Sequence, residues 1–241
     1  FYFEASAPPY GGNEARLNGS GDFSIPSTPS PSPTSSSSPS PSVSPTAGVT
    51  SSQNPILEVH FNEAAGATSF ADSSPSARTG GCKIGNLGTC PASGQGGVLG
   101  SGARFTGSSN SGVHFTDTTG STLDFTGQIS FEAWIYPEGE MEPFARIVEK
   151  NFRTSWAFSG GQHPNSLSVY LNGGVAAQTN GGVITPNAWN HVAFTIYDGA
   201  PRIFVNGAEV ALALGGGYYS NLTDNASISI GAWKNLDGTA N

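Results

Sequence analysis

The stretch 189-WNHVAFTIYDGAPRIFVNGAEVAL-212 alternates apolar and polar residues around two turn signals, Asp198-Gly199 and Asn206-Gly207. Successive side chains of a strand point to opposite faces. Val192, Phe194 and Ile196 therefore share one face, and His191, Ala193, Thr195 and Tyr197 the other. Asp-Gly and Asn-Gly tolerate the positive φ that tight hairpins need. The stretch predicts two successive hairpins, with Ile203 and Val205 continuing the apolar face. Trp189 leads straight into the buried-face strand and is expected to cap the core. His191 reads as a strand residue rather than a ligand or base.

Outward from this stretch the pattern repeats. From about residue 54 the chain is a succession of short alternating runs separated by Gly, Asn, Asp and Pro, with almost no helical periodicity. Strands are expected at 56–61, 103–106, 112–116, 129–136, 146–150, 155–159, 166–172, 191–197, 202–206, 208–214 and 228–233. About eleven strands exceed an immunoglobulin fold and suit a jelly roll. The expected fold class is all-β, a jelly-roll β-sandwich over residues 54–241 carrying an extended Ser/Pro-rich N-terminal segment.

That segment divides in two. The tract 26-PSTPSPSPTSSSSPSPSVSPT-46 holds only Ser, Pro and Thr with one Val, too little apolar area to offset the entropy of ordering. Frequent Pro favours polyproline II, so residues 26–53 are expected to form a semi-rigid stalk, the tract alone spanning about 60 Å at roughly 3 Å per residue. Ser27, Thr28, Ser30, Ser32 and Thr34 beside Pro suit O-linked glycan. Residues 1–25 open with 1-FYFEASAPPYGG-12, whose first residues alternate like a single strand. Such a strand is either the end of another domain or one offered to a second subunit. Because the chain opens at Phe1 without Met or a signal peptide, it reads as a processed chain or an excised piece.

Charge and cysteines narrow the partners. Nine Lys and Arg against seventeen Asp and Glu give a net charge of −8, which argues against phosphate backbones and hence nucleic acid. No apolar run is long enough to insert in a bilayer. Cys82 and Cys90, in 82-CKIGNLGTC-90, are too few for a zinc cage and too widely spaced for a C-x-x-C pair. They can close a small loop as a disulfide, which implies an oxidising, extracytoplasmic compartment; the alternative is two free thiols. Sequons at Asn18, Asn221 and Asn225 agree with secretion without requiring it.

The segments 104-RFTG-107, 123-LDFTGQISFEAWIYP-137, 189-WNHVAFTIYDGAPRIFVNGAEV-210 and 228-ISIGAW-233 carry a resemblance in their order and spacing. Together they resemble the laminin G-like group of the concanavalin A-like lectin and glucanase superfamily, over roughly residues 54–241. The resemblance implies a jelly roll found in secreted and surface proteins. It also implies a final C-terminal strand that this sequence lacks after Asn241, so one edge strand is expected either to be cut off or to come from elsewhere.

Relatives among the glucanases carry closely spaced acids on one strand. Here Glu138, Glu140 and Glu142 alternate in 137-PEGEMEP-143, and on a strand a pair about 5 Å apart could support retaining hydrolysis, with Glu138 and Glu142 as the candidates. Pro137, Pro143 and Gly139 oppose a strand, and a solvated acidic loop is the simpler expectation. The resemblance also implies calcium near 62-NEAAGATSFADSS-74, where Asp72 with Asn62 or Glu63 would be ligands, against an Asp that only caps a turn. His60, His114, His163 and His191 lack metal spacing. Tyr218 and Tyr219, after 215-GGG-217, are the loop candidates for stacking a sugar.

The functional expectation is a non-catalytic extracellular module of the cell surface or a secreted appendage, contributing adhesion or structure and binding glycans or surface proteins. Two alternatives stand beside it: a filament subunit joined to its own kind by strand exchange, and a β-glucan hydrolase.

Overall fold

The computed structural model describes residues 2–4 and 15–18 as backbone, and 55–82, 89–98, 100–106, 111–117, 123–125, 128–197, 199–215, 222–223 and 225–232 in full. The strands among them are β1 (Tyr2–Glu4), β2 (Ala15–Asn18), β3 (Leu57–Val59), β4 (Ser69–Ala71), β5 (Thr79–Gly81), β6 (Ala92–Gly96), β7 (Ser101–Arg104), β8 (Val113–Phe115) and β9 (Ile129–Tyr136). They continue with β10 (Arg146–Lys150), β11 (Trp156–Gly160), β12 (Leu167–Leu171), β13 (Gly174–Thr179), β14 (Asn190–Tyr197), β15 (Ala200–Val205), β16 (Ala208–Glu209), β17 (Leu212–Gly215) and β18 (Ile228–Ile230).

Two antiparallel sheets result. The first runs β16-β15-β14-β9-β1-β7-β6, with β2 lying between β9 and β3; the second runs β17-β13-β12-β11-β10-β18-β8-β5-β4. The predicted hairpins form. β14 and β15 pair from Val192↔Val205 to Tyr197↔Ala200, and the turn to β16 carries φ of 50° at Asn206 and 80° at Gly207. One expected strand divides: residues 208–214 become β16, which pairs with β15, and β17, which crosses to pair with β13 in the second sheet.

The core is an aromatic seam between the sheets. Phe194 of β14 sits 5.9 Å from Phe131 of β9, 5.1 Å from Phe158 and 5.7 Å from Trp156 of β11, all fully or nearly fully buried. A second knot joins Phe61 to Phe70 and Phe105 at 5.6 and 5.9 Å. Aromatic rings bury large apolar areas and gain further from edge-to-face contact, so these rings set the spacing of the sheets. Trp189 is not among them. It is half-buried and packs edge-on against Tyr136 at 5.6 Å, because Tyr136 alternates with the core-facing Ile135 and points to the other side of the sheet. Cys82 and Cys90 form the disulfide, with Cα atoms 4.8 Å apart.

Candidate functional site

The strand β10, 146-RIVEK-150, places three charges in five residues. Strict alternation would put Arg146 and Lys150 on one face and Glu149 on the other. A register shift between Arg146 and Val148 changes this. Ile147 and Val148 both enter the core, leaving Arg146 on the outer face of the second sheet beside Glu149. Bulges re-aim side chains in this way.

On that outer face Arg146 Nε lies 2.9 Å from Glu149 Oε2, with both side chains almost wholly buried. The guanidinium stands 5.1 Å from the ring of Phe152 and 5.5 Å from that of Tyr170, and the two rings meet edge-on at 6.3 Å. The cross-strand register extends the face: Glu149 is opposite Ser229 and Ala157, Ala157 opposite Tyr170, and Ser229 opposite His114. A second row runs from Arg146 through Ser159 and Ser168 to Gln178. Ser168 Oγ donates to Gln178 Oε1 at 3.2 Å. His114 Nδ1 and Ser229 Oγ are 2.7 Å apart. Burial lowers the His114 pKa to about 4, so its ring is neutral at pH 7. Burial raises the Tyr170 phenol above its ordinary value, against the opposing Arg146 charge and the Ser168 hydroxyl. The face therefore carries two aromatic rings, a guanidinium–carboxylate pair, an amide and several hydroxyls, Phe152 half-buried and the others buried.

The residues singled out in the sequence are placed elsewhere. Glu138, Glu140 and Glu142 lie in the irregular connection between β9 and β10, all exposed. Glu138 takes a two-pronged contact from Arg104, with Nη2 at 2.8 Å and Nε at 3.0 Å from Oε2. The acids do not line up on a strand.

Asp72 organises a turn. Its Oδ1 accepts from the backbone N–H of Glu58 at 3.0 Å and Ser74 at 2.9 Å; its Oδ2 accepts from Arg78 N–H at 3.2 Å and faces Arg78 Nη1 at 3.6 Å. Glu63 Oε1 accepts from Ala71 N–H at 2.9 Å, and Asn62 is exposed. A carboxylate saturated by three backbone donors and an arginine does not fit a calcium ligand, which must turn its lone pairs to the ion. Among the described residues no three His, Cys, Asp or Glu side chains are grouped to hold a metal.

His60 lies 3.6 Å from Glu58, and His191 lies 3.5 Å from Glu132 and 5.2 Å from the Trp134 ring, on the outer face of the first sheet. His163 is exposed in the connection from β11 to β12. Asn225 is exposed, and Asn18 ends β2 opposite Ser130. Tyr218, Tyr219, Asn221, Ser27, Thr28, Ser30, Ser32 and Thr34 lie outside the described residues.

Residues 106–240 match the family model of the concanavalin A-like lectin/glucanases superfamily, laminin G type. The chain belongs to this superfamily. Comparison with curated proteins finds no match. Among solved structures the superfamily member is similar to domain 4 of AbnA, an extracellular GH43 arabinanase from Geobacillus stearothermophilus, solved in complex with arabinotriose. The two are 22% identical, with a TM-score of 0.43, over 64% of this chain and 72% of that one.

The Arg146 cluster went unread because its signal is not periodic. The sequence trace was three charges inside a five-residue strand flanked by apolar strands, a density that only a bulge or a buried polar site accommodates.

Proposed function

We propose that this chain is a non-catalytic glycan-binding module, and that the outer face of the second sheet around Tyr170 is its binding surface. The observation that carries the reading is the Arg146–Glu149 pair fixed between the rings of Phe152 and Tyr170, on a face otherwise lined with hydroxyl and amide groups. Sugars present apolar C–H faces that pack on aromatic rings, and paired hydroxyls that accept hydrogen bonds from guanidinium and amide N–H groups and donate them to carboxylate and amide oxygens. Membership of a superfamily of lectins and glucanases supports the same partner class. The exposed acids of residues 138–142, which do not line up on a strand and of which Glu138 is paired with Arg104, support binding without hydrolysis. The saturated Asp72 supports binding that needs no calcium. The disulfide and the Ser/Pro-rich tract support an extracellular, stalk-borne module with an adhesive or structural role.

The test is a screen of the full chain on immobilised neutral oligosaccharides with calcium and with chelator, repeated for Tyr170→Ala and Gln178→Ala. Binding is expected with and without calcium, weakened about tenfold or more by Tyr170→Ala, as for loss of a central aromatic anchor. A blank screen, or binding that Tyr170→Ala leaves intact, overturns the site.

A further inference from the structure

Lys150 ends β10 inside the sandwich, and neither its side chain nor that of Asp117 has any exposure to solvent. Its Nζ lies 2.5 Å from Asp117 Oδ2, 2.8 Å from Asp124 Oδ1 and 2.9 Å from the Leu123 carbonyl. Asp117 stands just beyond β8, and the Asp124 side chain keeps 15% exposure. The surroundings are apolar. Leu123 and Phe125 flank Asp124 in sequence, Trp156 of β11 is opposite Lys150, and all three are buried, with the Phe125 and Trp156 rings 6.3 Å apart. One ammonium with two carboxylates leaves a negative charge over in a place where charge is costly. The glycan face uses none of these groups.

We propose that Lys150 and Asp117 condense after folding into an intramolecular isopeptide bond, with Asp124 as the proton carrier. Three observations carry this, independently of the glycan reading. First, a nitrogen 2.5 Å from a carboxyl oxygen is also close to the carboxyl carbon, at the roughly 3–3.5 Å of a near-attack arrangement. Groups held in this way react with effective molarities of about 10⁵–10⁸ M, so an amine and an acid that ignore each other in water can combine. Second, the three partners of Nζ fix where its electrons point. Passing the proton of the short contact to Asp117 leaves a neutral amine whose lone pair faces a neutral carboxylic acid, while the two remaining N–H groups stay on Asp124 and Leu123. Nζ then attacks Asp117 Cγ, the N–C bond forms, and a second proton moves to Asp124 Oδ1. Asp124 returns it to the departing hydroxyl, the C–O bond breaks and one water leaves. The product is a secondary amide whose N–H still donates to the Leu123 carbonyl. Asp124 ends with the proton count it began with, and no oxidant or cofactor is consumed. Third, reversal needs water at a pair of side chains that water does not reach, and the charge left after condensation sits on Asp124, the carboxylate of the two that keeps solvent access. The bond closes a loop from residue 117 to residue 150 that contains all of β9, so it staples the second sheet across a strand of the first.

The test weighs the full chain, produced in a host that adds no glycan, refolded, incubated for increasing times and then reduced so that the Cys82–Cys90 disulfide does not enter the mass. The folded chain should come to weigh less than its sequence by one water, while chain kept in denaturant stays at the sequence mass. Trypsin should then release residues 105–146 joined to 147–153, uncut after Lys150 because its amine is acylated, with fragmentation placing the link on Asp117. Asp124→Asn retains both reacting groups and should slow the mass change about a hundredfold or more, the usual share of a general acid–base group. Lys150→Met should hold its sequence mass whether or not it folds. A parent chain that is β-rich by circular dichroism and still at its sequence mass after prolonged incubation overturns the bond, as does a water lost elsewhere as an internal imide. A link on Asp124, or an Asp124→Asn chain that condenses at the parent rate, overturns the roles given to the two acids.

Discussion

Two cations on one short strand, Arg146 and Lys150, are both buried, and they do different work. Lys150 faces the core side and is enclosed: its Nζ donates to Asp117 Oδ2 at 2.5 Å, Asp124 Oδ1 at 2.8 Å and the Leu123 carbonyl at 2.9 Å. Three acceptors match the three donors of an ammonium. The Lys150 side chain has no solvent exposure at all, so this is an internal tie between β10 and the segments around 117 and 123–124. Arg146 faces outward, its flat guanidinium held between two rings and against one carboxylate. A point charge with a full set of partners holds a fold together. A planar charge set between aromatic faces is the feature on which the proposed glycan site depends.

The largest expected effect breaks the inner member of the pair. Lys150→Met removes the ammonium and leaves Asp117 and Asp124 facing each other, which costs about 3–5 kcal/mol, the usual result of deleting one partner of a buried ion pair. Chemical denaturation should show the unfolding free energy falling by that amount, as a lower midpoint at unchanged slope. A loss under about 1 kcal/mol would mean that the tie is not closed in solution.

Next in size is a pH effect on the outer face. His114 has its pKa lowered by burial to about 4, so the unfolded chain, with the ordinary imidazole value near 6.5, binds the proton more readily than the folded one. The stabilisation is full above pH 6.5 and is lost as pH falls toward 4, in total about 3 kcal/mol from this group by linkage. His114→Gln should flatten the stability profile between pH 6.5 and 4. Melting curves whose slope in that window is the same for both chains would contradict the burial that causes the shift.

The outer member is sharpened by Arg146→Lys. The charge stays, but the fork and the flat stacking surface go. Glycan binding should weaken about tenfold, on the order of 1.4 kcal/mol, while the unfolding free energy moves by no more than about 1 kcal/mol. Equal losses of binding and stability would make Arg146 a structural residue like its neighbour.

What could be read from the sequence follows the same divide. The hairpins of residues 190–209 were legible because alternation and Asn-Gly turns are local signals, and the buried face of Val192, Phe194, Ile196, Ile203 and Val205 followed from them. β13, in 174-GVAAQT-179, was not legible: Gly and Ala give no contrast between faces, and the strand is held by β12 and β17 on its two sides. β5 escaped for a related reason. At Gly80 a Cβ would fall 2.5 Å from the Phe115 ring and 2.8 Å from Val113, so the residue that weakens strand propensity is the one the packing requires. β4 and β6 are likewise short and rich in Ser, Gly and Ala. The candidate site was hidden by the bulge in β10, a register event decided by tertiary packing, whereas Glu138, Glu140 and Glu142 were conspicuous in the sequence because they are exposed.

The smallest expected effect completes the comparison. Arg104 and Glu138 make the best-shaped ion pair among these groups, a bidentate contact at 2.8–3.1 Å, yet their side chains are 45% and 41% exposed. Water screens such a pair, and exposed pairs contribute about 0–1 kcal/mol whatever their geometry. The double change Glu138→Gln with Glu142→Gln should alter the unfolding free energy by no more than that and leave glycan binding untouched, since neither acid lies on the Tyr170 face. Incubation with β-glucan should release no reducing ends from the parent chain or the variant. Release by the parent alone would move the chemistry to the acidic loop. It would also show that burial, which separates Lys150 and Arg146 from Arg104, had been the wrong guide to where this sandwich works.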